Sequence, residues 1–242
     1  MNRNLVGRDL GNFELYGGVD PRHLPRYSFP DGARATGIPV STLRAWVVGQ
    51  SYNRTYDEGY FEPVIDRPSE QDSRLSFANI IEAHILRALR TLHKVSLRHV
   101  REAIDIAEKE FGIDHLLISP DLRTSAGQLF LDRYTHLMEL SPAKQYAIKG
   151  VLKEYLSRIE FDESKLPYEF QPFERSHGHL VSPIISLSPF ISFGRAIIRR
   201  AGVSTLAVYK RIESGEDPKA VMDDYGLEEY EIEEAILYES AA

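Results

Sequence analysis

The chain has 242 residues and no cysteine. That absence excludes disulfides and thiolate metal sites, and it fits a reducing compartment. No apolar run approaches the ~18 residues of a membrane span, so no membrane partner is expected. The opening stretch, MNRNLVGRDLGNFELYGG, lacks an apolar segment and a small-residue cleavage site. It carries no secretion signal, and a cytoplasmic location is expected. G-x-S-x-G, P-loop and dinucleotide fingerprints are missing as well. No enzyme, no catalytic residue and no cofactor are therefore expected. Fixed-period repeats and low-complexity tracts are also absent.

What is present is an ordinary globular composition, 43% hydrophobic and 27% charged, long enough to bury a real core. The net charge of −7 argues against a general polyanion binder. Its distribution says more. Between Tyr27 and Arg101, ten Lys/Arg oppose eight acidic residues; from Val203 onward, three basic residues face eleven acidic ones. The acidity belongs to the tail, so the two ends are expected to face different partners.

Punctuation divides the chain into an arm (1–26), an N-terminal unit (27–110), a mixed α/β middle segment (111–175) and a C-terminal unit (176–242). In the N-terminal unit, Pro30 and Gly37 bracket a short helix at 31–36. Ser41 is placed to cap a second at 42–48, ended by Gly49. Residues 52–66 are aromatic and β-prone around Asp57-Glu58-Gly59 and predict a hairpin. Ser76 opens a helix over 77–92, with Phe77, Ile80, Ile81, Ile85, Ala88, Leu89 and Leu92 on one face. Ser96 opens another over 97–110, with Leu97, Val100, Ile104 and Ala107 inward. In the middle segment, HLLIS, GQLFLDRY and YEFQPF predict short strands. Ser141-Pro142 starts a helix over 142–160, whose apolar stripe suits either core or a dimer face. RSHGHLVSP is the expected linker. Beyond it, a strand, a Gly turn and a second strand precede helices near 204–213, 217–224 and 228–239. The fold class is mainly α with short β elements, an α+β arrangement.

The stretch ARATGIPVSTLRAW has the spacing of a helix-turn-helix. Ala33 is small where two helices would cross, Gly37 can adopt a left-handed turn, and Ile38 and Leu43 can pin the pair. Ser41, Thr42 and Arg44 then lie near the N-terminal end of the second helix, where amides attract phosphate and Arg can fork onto phosphate or guanine. The hairpin becomes a wing, with Arg54 near the DNA backbone. By spacing alone, a plain helical hairpin produces much of the same pattern. YSFPDGARATGIPVSTLRAW, RLSFANIIEAHILRALR and VSLRHVREAI together resemble the MerR-type winged helix, over about 27–105. That resemblance implies DNA contacts from Ser41, Thr42, Arg44 and the wing. Two departures stand: Val47 occupies a usually acidic position, and no long dimerisation helix follows directly.

ISFGRAIIRRAGVSTLAVYKRIESGEDPKAVMDDYGLEEYEIEEAILYE resembles a small domain of unknown function associated with bacterial antitoxins, over roughly 183–239. Arg199-Arg200-Ala201 departs from that family's Arg-Gly-Thr and makes the bend bulkier and more basic. The two modules in this order resemble VapB-type antitoxins with a MerR-like N-terminal domain. The resemblance implies repression of the protein's own operon through double-stranded operator DNA, and neutralisation of a co-encoded PIN-like RNase toxin. It also leaves an alternative, a stand-alone MerR-like regulator with a ligand-sensing or dimerising C-terminal part. A two-fold operator suggests a homodimer. PIN-type sites hold carboxylates, so the basic group Arg195, Arg199 and Arg200 is a candidate toxin contact. The competing reading pairs these arginines with the acidic helices at 213–239. Glu228, Glu229, Glu231, Glu233 and Glu234 argue against a second DNA-reading helix in the tail.

His177-x-His179 has metal-ligand spacing but no Cys and only Glu174 nearby, so a solvated loop is expected and no metal. His84, His93 and His99 read as satisfied core or surface residues. Trp46 is expected in the core.

Overall fold

A computed structural model describes residues 13–54, 57–91, 97–112, 115–119, 132, 136, 142–172 and 183–241. It is α+β: helices dominate, with small antiparallel sheets.

Helix α1 runs Phe29–Thr36, two residues longer at its start than the sequence suggested. The reason is a capping box at Ser28 and Asp31, with Pro30 in the first turn. Gly37 ends it in the left-handed region at φ 66°. Helix α2, Val40–Val48, follows after a three-residue turn. Its N-cap is Pro39, not Ser41: the Pro39 carbonyl accepts the first helical bond, from Leu43 N, at 3.0 Å. Proline's fixed φ suits the helix entry, which places Ser41 one residue inside. Strands β1 (Gln50–Arg54) and β2 (Asp57–Phe61) pair antiparallel from Gln50↔Phe61 to Arg54↔Asp57. This is the expected hairpin, starting two residues and ending five residues earlier than drawn from sequence.

Helix α3, Phe77–Thr91, is the central element. Ser76 Oγ accepts from Asn79 N, the predicted cap. Phe77, Ile80, Ile81, Ile85, Ala88 and Leu89 are buried as expected, but so are Ala83, His84 and Leu86. The helix is enclosed on nearly all sides because α1, the helix Pro142–Leu156 and the hairpin formed by Ile159–Phe161 and Pro167–Phe170 pack around it. Helix α4, Leu97–Phe111, turns Val100, Ile104 and Ala107 inward.

HLLIS is not a strand. Residues 116–118 form a turn, His115 sits at φ 56°, and Leu116 N donates to the Glu108 carboxylate at 2.8 Å. That local side-chain acceptor takes the amide a strand ladder would need. Of GQLFLDRY only Asp132 is described, and it is helical, not in a strand; the caps at Ser96 and Ser141, Leu92, Leu97 and His93 lie outside the described residues or their described side chains. Helix α5, Pro142–Leu156, stops before Ile159, which instead opens β3 (Ile159–Phe161). Pairing with β4 (Pro167–Phe170), Ile159↔Phe170, decides this. A bridge from Phe170 to Leu187 joins that hairpin to a three-stranded sheet. The sheet comprises β5 (Ile185–Ser186), β6 (Ile197–Ile198) and β7 (Val203–Ser204), in that order. Helices α6 (Thr205–Glu213), α7 (Pro218–Tyr225) and α8 (Glu229–Ser240) follow. Asp217 caps α7 and Gly226 ends it, as the sequence indicated.

One apolar cluster runs from Tyr27 to Leu187 and includes Trp46, Leu152, Tyr155 and Phe170. A second, from Ile184 to Tyr238, belongs to the C-terminal unit. The middle segment therefore shares its core with α3.

Candidate functional site

The helix-turn-helix is built from close packing. A Cβ at Gly32 would lie 2.7 Å from a Leu75 methyl and 2.9 Å from a Leu43 methyl, so α1 and α2 meet at Gly32 with Ala33 beside it. Ile38, Leu43, Trp46 and Val47 turn inward. Ser41 and Arg44 are left exposed on α2, and Thr42 is half-buried. The Arg44 guanidinium lies over the Phe29 ring at 4.5 Å, and the residue stays exposed. The β1–β2 hairpin and the segment after it are tied to α2: Tyr60 OH donates to Val48 O at 2.7 Å, and Val64 N and Ile65 N donate to Trp46 O. Arg54 is in β1, next to α2 in sequence, but its side chain is outside the described ones.

The three C-terminal arginines do different things. Arg199 pairs with Glu160 and, at 2.7 Å, with Glu169, both from the β3–β4 hairpin. Burial raises the Glu169 carboxyl above its usual range, and Arg199 draws it back. Arg200 pairs with Glu231 at 2.5 Å and donates to Gly226 O at 2.7 Å. Only Arg200 meets the acidic helices; Arg199 meets the middle segment. Arg195 is exposed; its backbone N donates to Ser192 O at 3.2 Å, and its guanidinium makes no hydrogen bond or ion pair among the described residues. Of the five α8-region acids, Glu231 and Glu234 are buried, while Glu228, Glu229 and Glu233 face solvent.

Contacts between the two ends were not legible in the sequence. Arg34 of α1 pairs with Glu239 of α8 at 3.0 Å, and Thr205 Oγ1 donates to the same carboxylate at 2.5 Å. The Arg34 guanidinium also lies over the Tyr238 ring. A Cβ at Gly194 would strike the Tyr27 hydroxyl, so the 192–194 turn sits directly on the segment entering α1. Separations of this size along the chain leave no periodic signal. The unit that carries the DNA-reading candidates and the acidic tail therefore share an interface.

Among the described residues no group of three His, Asp or Glu could hold a metal, and no helix is long and apolar enough to cross a membrane. His177 and His179 lie outside the described residues. His84 is fully buried, its Nε2 3.0 Å from Tyr155 O, between the Tyr155 and Phe170 rings. Burial lowers its pKa to about 3, so it is a neutral core residue. Trp46 is in the core as expected.

Comparisons with known proteins come from three directions. A family model described as "Protein of unknown function (DUF433)" matches residues 185–238, which are the β5–β7 sheet and α6–α8. A Mycobacterium tuberculosis protein named "Putative antitoxin VapB45" is 26% identical over 231 residues, covering 88% of this chain and 93% of its own length. The X-ray crystal structure of Rv2018 from Mycobacterium tuberculosis superposes with a TM-score of 0.63 at 22% identity, covering 88% of this chain and 98% of that one. The last of these establishes a shared fold.

Proposed function

We propose that this protein is a non-enzymatic antitoxin that binds a co-encoded PIN-like RNase toxin and represses its own operon. The observation that carries the reading is similarity along nearly the whole of both chains to a relative named as an antitoxin. Two placements support its division of labour. Ser41 and Arg44 are exposed on α2 and Thr42 is half-buried there, next in sequence to the strand that contains Arg54. The Arg195 guanidinium stands exposed, with no hydrogen bond or ion pair among the described residues, in the unit matched by the family model. A homodimer reading a two-fold operator is part of the proposal.

In this reading Arg44 supplies phosphate or guanine contact, and Ser41 and Thr42 offer hydroxyls near the N-terminus of α2. Arg195 supplies a fork for a toxin carboxylate. Arg199 and Arg200 contribute to that surface while holding Glu160, Glu169 and Glu231 in place.

The test uses the full chain, the product of the adjacent gene and the operon's own promoter. Operator binding is expected to weaken steeply with added salt. Arg44→Ala should cost about 1–3 kcal/mol of operator affinity and leave toxin capture unchanged. Arg195→Ala should do the reverse. Loss of both functions in either variant, or of neither, overturns the division. Operator binding with no capture of the neighbouring protein would leave the stand-alone regulator.

A further inference from the structure

We propose that the cleft between the segment entering α1 and the C-terminal unit binds a small carboxylate-bearing molecule with an apolar body. The proposal does not rest on the DNA or toxin assignments. The cleft has a volume of about 480 Å³, within the range of small-molecule sites. Its walls come from Arg26 to Arg34 on one side and from Phe193 to Leu206, with Tyr238 and Glu239, on the other.

Charge accounting shows a surplus of donors. Two carboxylates line the cleft, and both are occupied. Asp31 receives Ser28 and Arg34, and Glu239 receives Arg34 and Thr205. Arg74 is held by Asp72 at 2.6 Å. Two cations remain, Arg26 and Arg195. Arg26 Nη1 is buried and has no hydrogen-bond partner among the described residues, and the same is true of the hydroxyl of Tyr27, which lines the same cleft. Leaving such donors buried and unpaired is costly, and two of them on residues lining one cleft point to an oxyanion acceptor. Burial raises the Tyr27 pKa, which keeps the phenol a donor. An arginine fork with a hydroxyl beside it matches a carboxylate.

The apolar part of the ligand is indicated by the rim. Phe193 is 72% exposed and Leu206 is 39% exposed, although both are large and apolar. Ser192 and Phe193 both hold positive φ, 49° and 54°, ahead of Gly194. Strained non-glycine backbone of this kind persists where surroundings enforce it, and ligand clamps are one such place. The strain sets the Phe193 ring 5.7 Å from the Arg26 guanidinium, which lies 5.0 Å from the Tyr16 ring on its other contact.

The experiment compares sodium benzoate, benzamide and inorganic phosphate as probes of the full chain, at constant ionic strength. Saturation-transfer NMR and thermal unfolding are the readouts. Benzoate should give ring saturation and a concentration-dependent rise in Tm; benzamide and phosphate should give neither. Arg26→Gln should weaken benzoate binding about tenfold or more, the scale of a lost charged hydrogen bond. Tyr27→Phe and Arg195→Gln read the same site should Arg26→Gln fail to fold, and each should weaken binding several-fold. Equal effects from benzoate and benzamide, an effect from phosphate but not benzoate, or full benzoate binding in Tyr27→Phe and Arg195→Gln would overturn the assignment. So would no response to benzoate at all.

Discussion

His84 offers a direct test of how α3 is joined to the middle segment. It is fully buried, its Nε2 is 3.0 Å from Tyr155 O, and its ring packs 4.6 Å from Tyr155 and 4.7 Å from Phe170. Burial lowers its pKa from 6.5 to about 3. The sign follows from linkage: the unfolded chain takes up a proton that the folded chain refuses. The contribution is complete above pH 6.5 and is lost as pH falls towards 3. Each pH unit in that window removes about 1.4 kcal/mol. Between pH 7.5 and 5.0 the loss is about 2 kcal/mol, or roughly 4–8 °C in Tm for a chain of this size. His84→Gln keeps a donor for Tyr155 O but does not titrate. Urea unfolding of both proteins at pH 7.5 and 5.0 isolates the difference. His115 acts in the opposite sense, because its bond to Glu82 raises its pKa. Its contribution is complete below the unfolded value and fades as pH rises through the raised one, but both proteins share it, so it cancels. If wild type and His84→Gln lose the same stability on acidification, within about 0.5 kcal/mol, the placement of a neutral His84 in this core is refuted.

Two further substitutions separate structural from functional roles. Arg200→Ala leaves the buried Glu231 carboxylate without its cation and should cost about 1–3 kcal/mol. Arg195→Ala, at an exposed position, should stay within about 0.5 kcal/mol. Urea unfolding of the pair reads this, and equal losses would contradict the ion-pair geometry. At the turn of the helix-turn-helix, Gly37→Ala must hold φ 66° and displace the Arg87 guanidinium, which donates to Thr36 O at 2.5 Å. A loss of about 1–2 kcal/mol is expected, with Gly37→Asn milder because Asn tolerates that region; no loss in Gly37→Ala by urea unfolding would contradict the turn.

Local signals carried much of the fold. The Gly37 turn, the Ser76 cap, the Asp217-Pro218 start and the periodic faces of α3 and α4 are all settled within a few residues, by φ restrictions, capping bonds and helical spacing. Their positions held to within about two residues. Local readings failed where a neighbour competed. Glu108 took the Leu116 amide and made a turn of HLLIS, and Phe170 drew Ile159 out of the preceding helix.

By itself the sequence determined which segments are helical, where the exposed Arg44 and Ser41 would stand, and that the tail is acidic, because each depends on spacing and charge along the chain. Tertiary structure alone decided that Arg199 and Arg200 have separate partners, that Glu231 is buried, and that Arg34 meets Glu239. It alone brought Arg26, Tyr27 and Arg195 to one cleft. The physical reason is common to all of these: pairing of charges far apart in the chain, 30 residues for Arg199 with Glu169 and 205 for Arg34 with Glu239, depends on how the helices and hairpins pack.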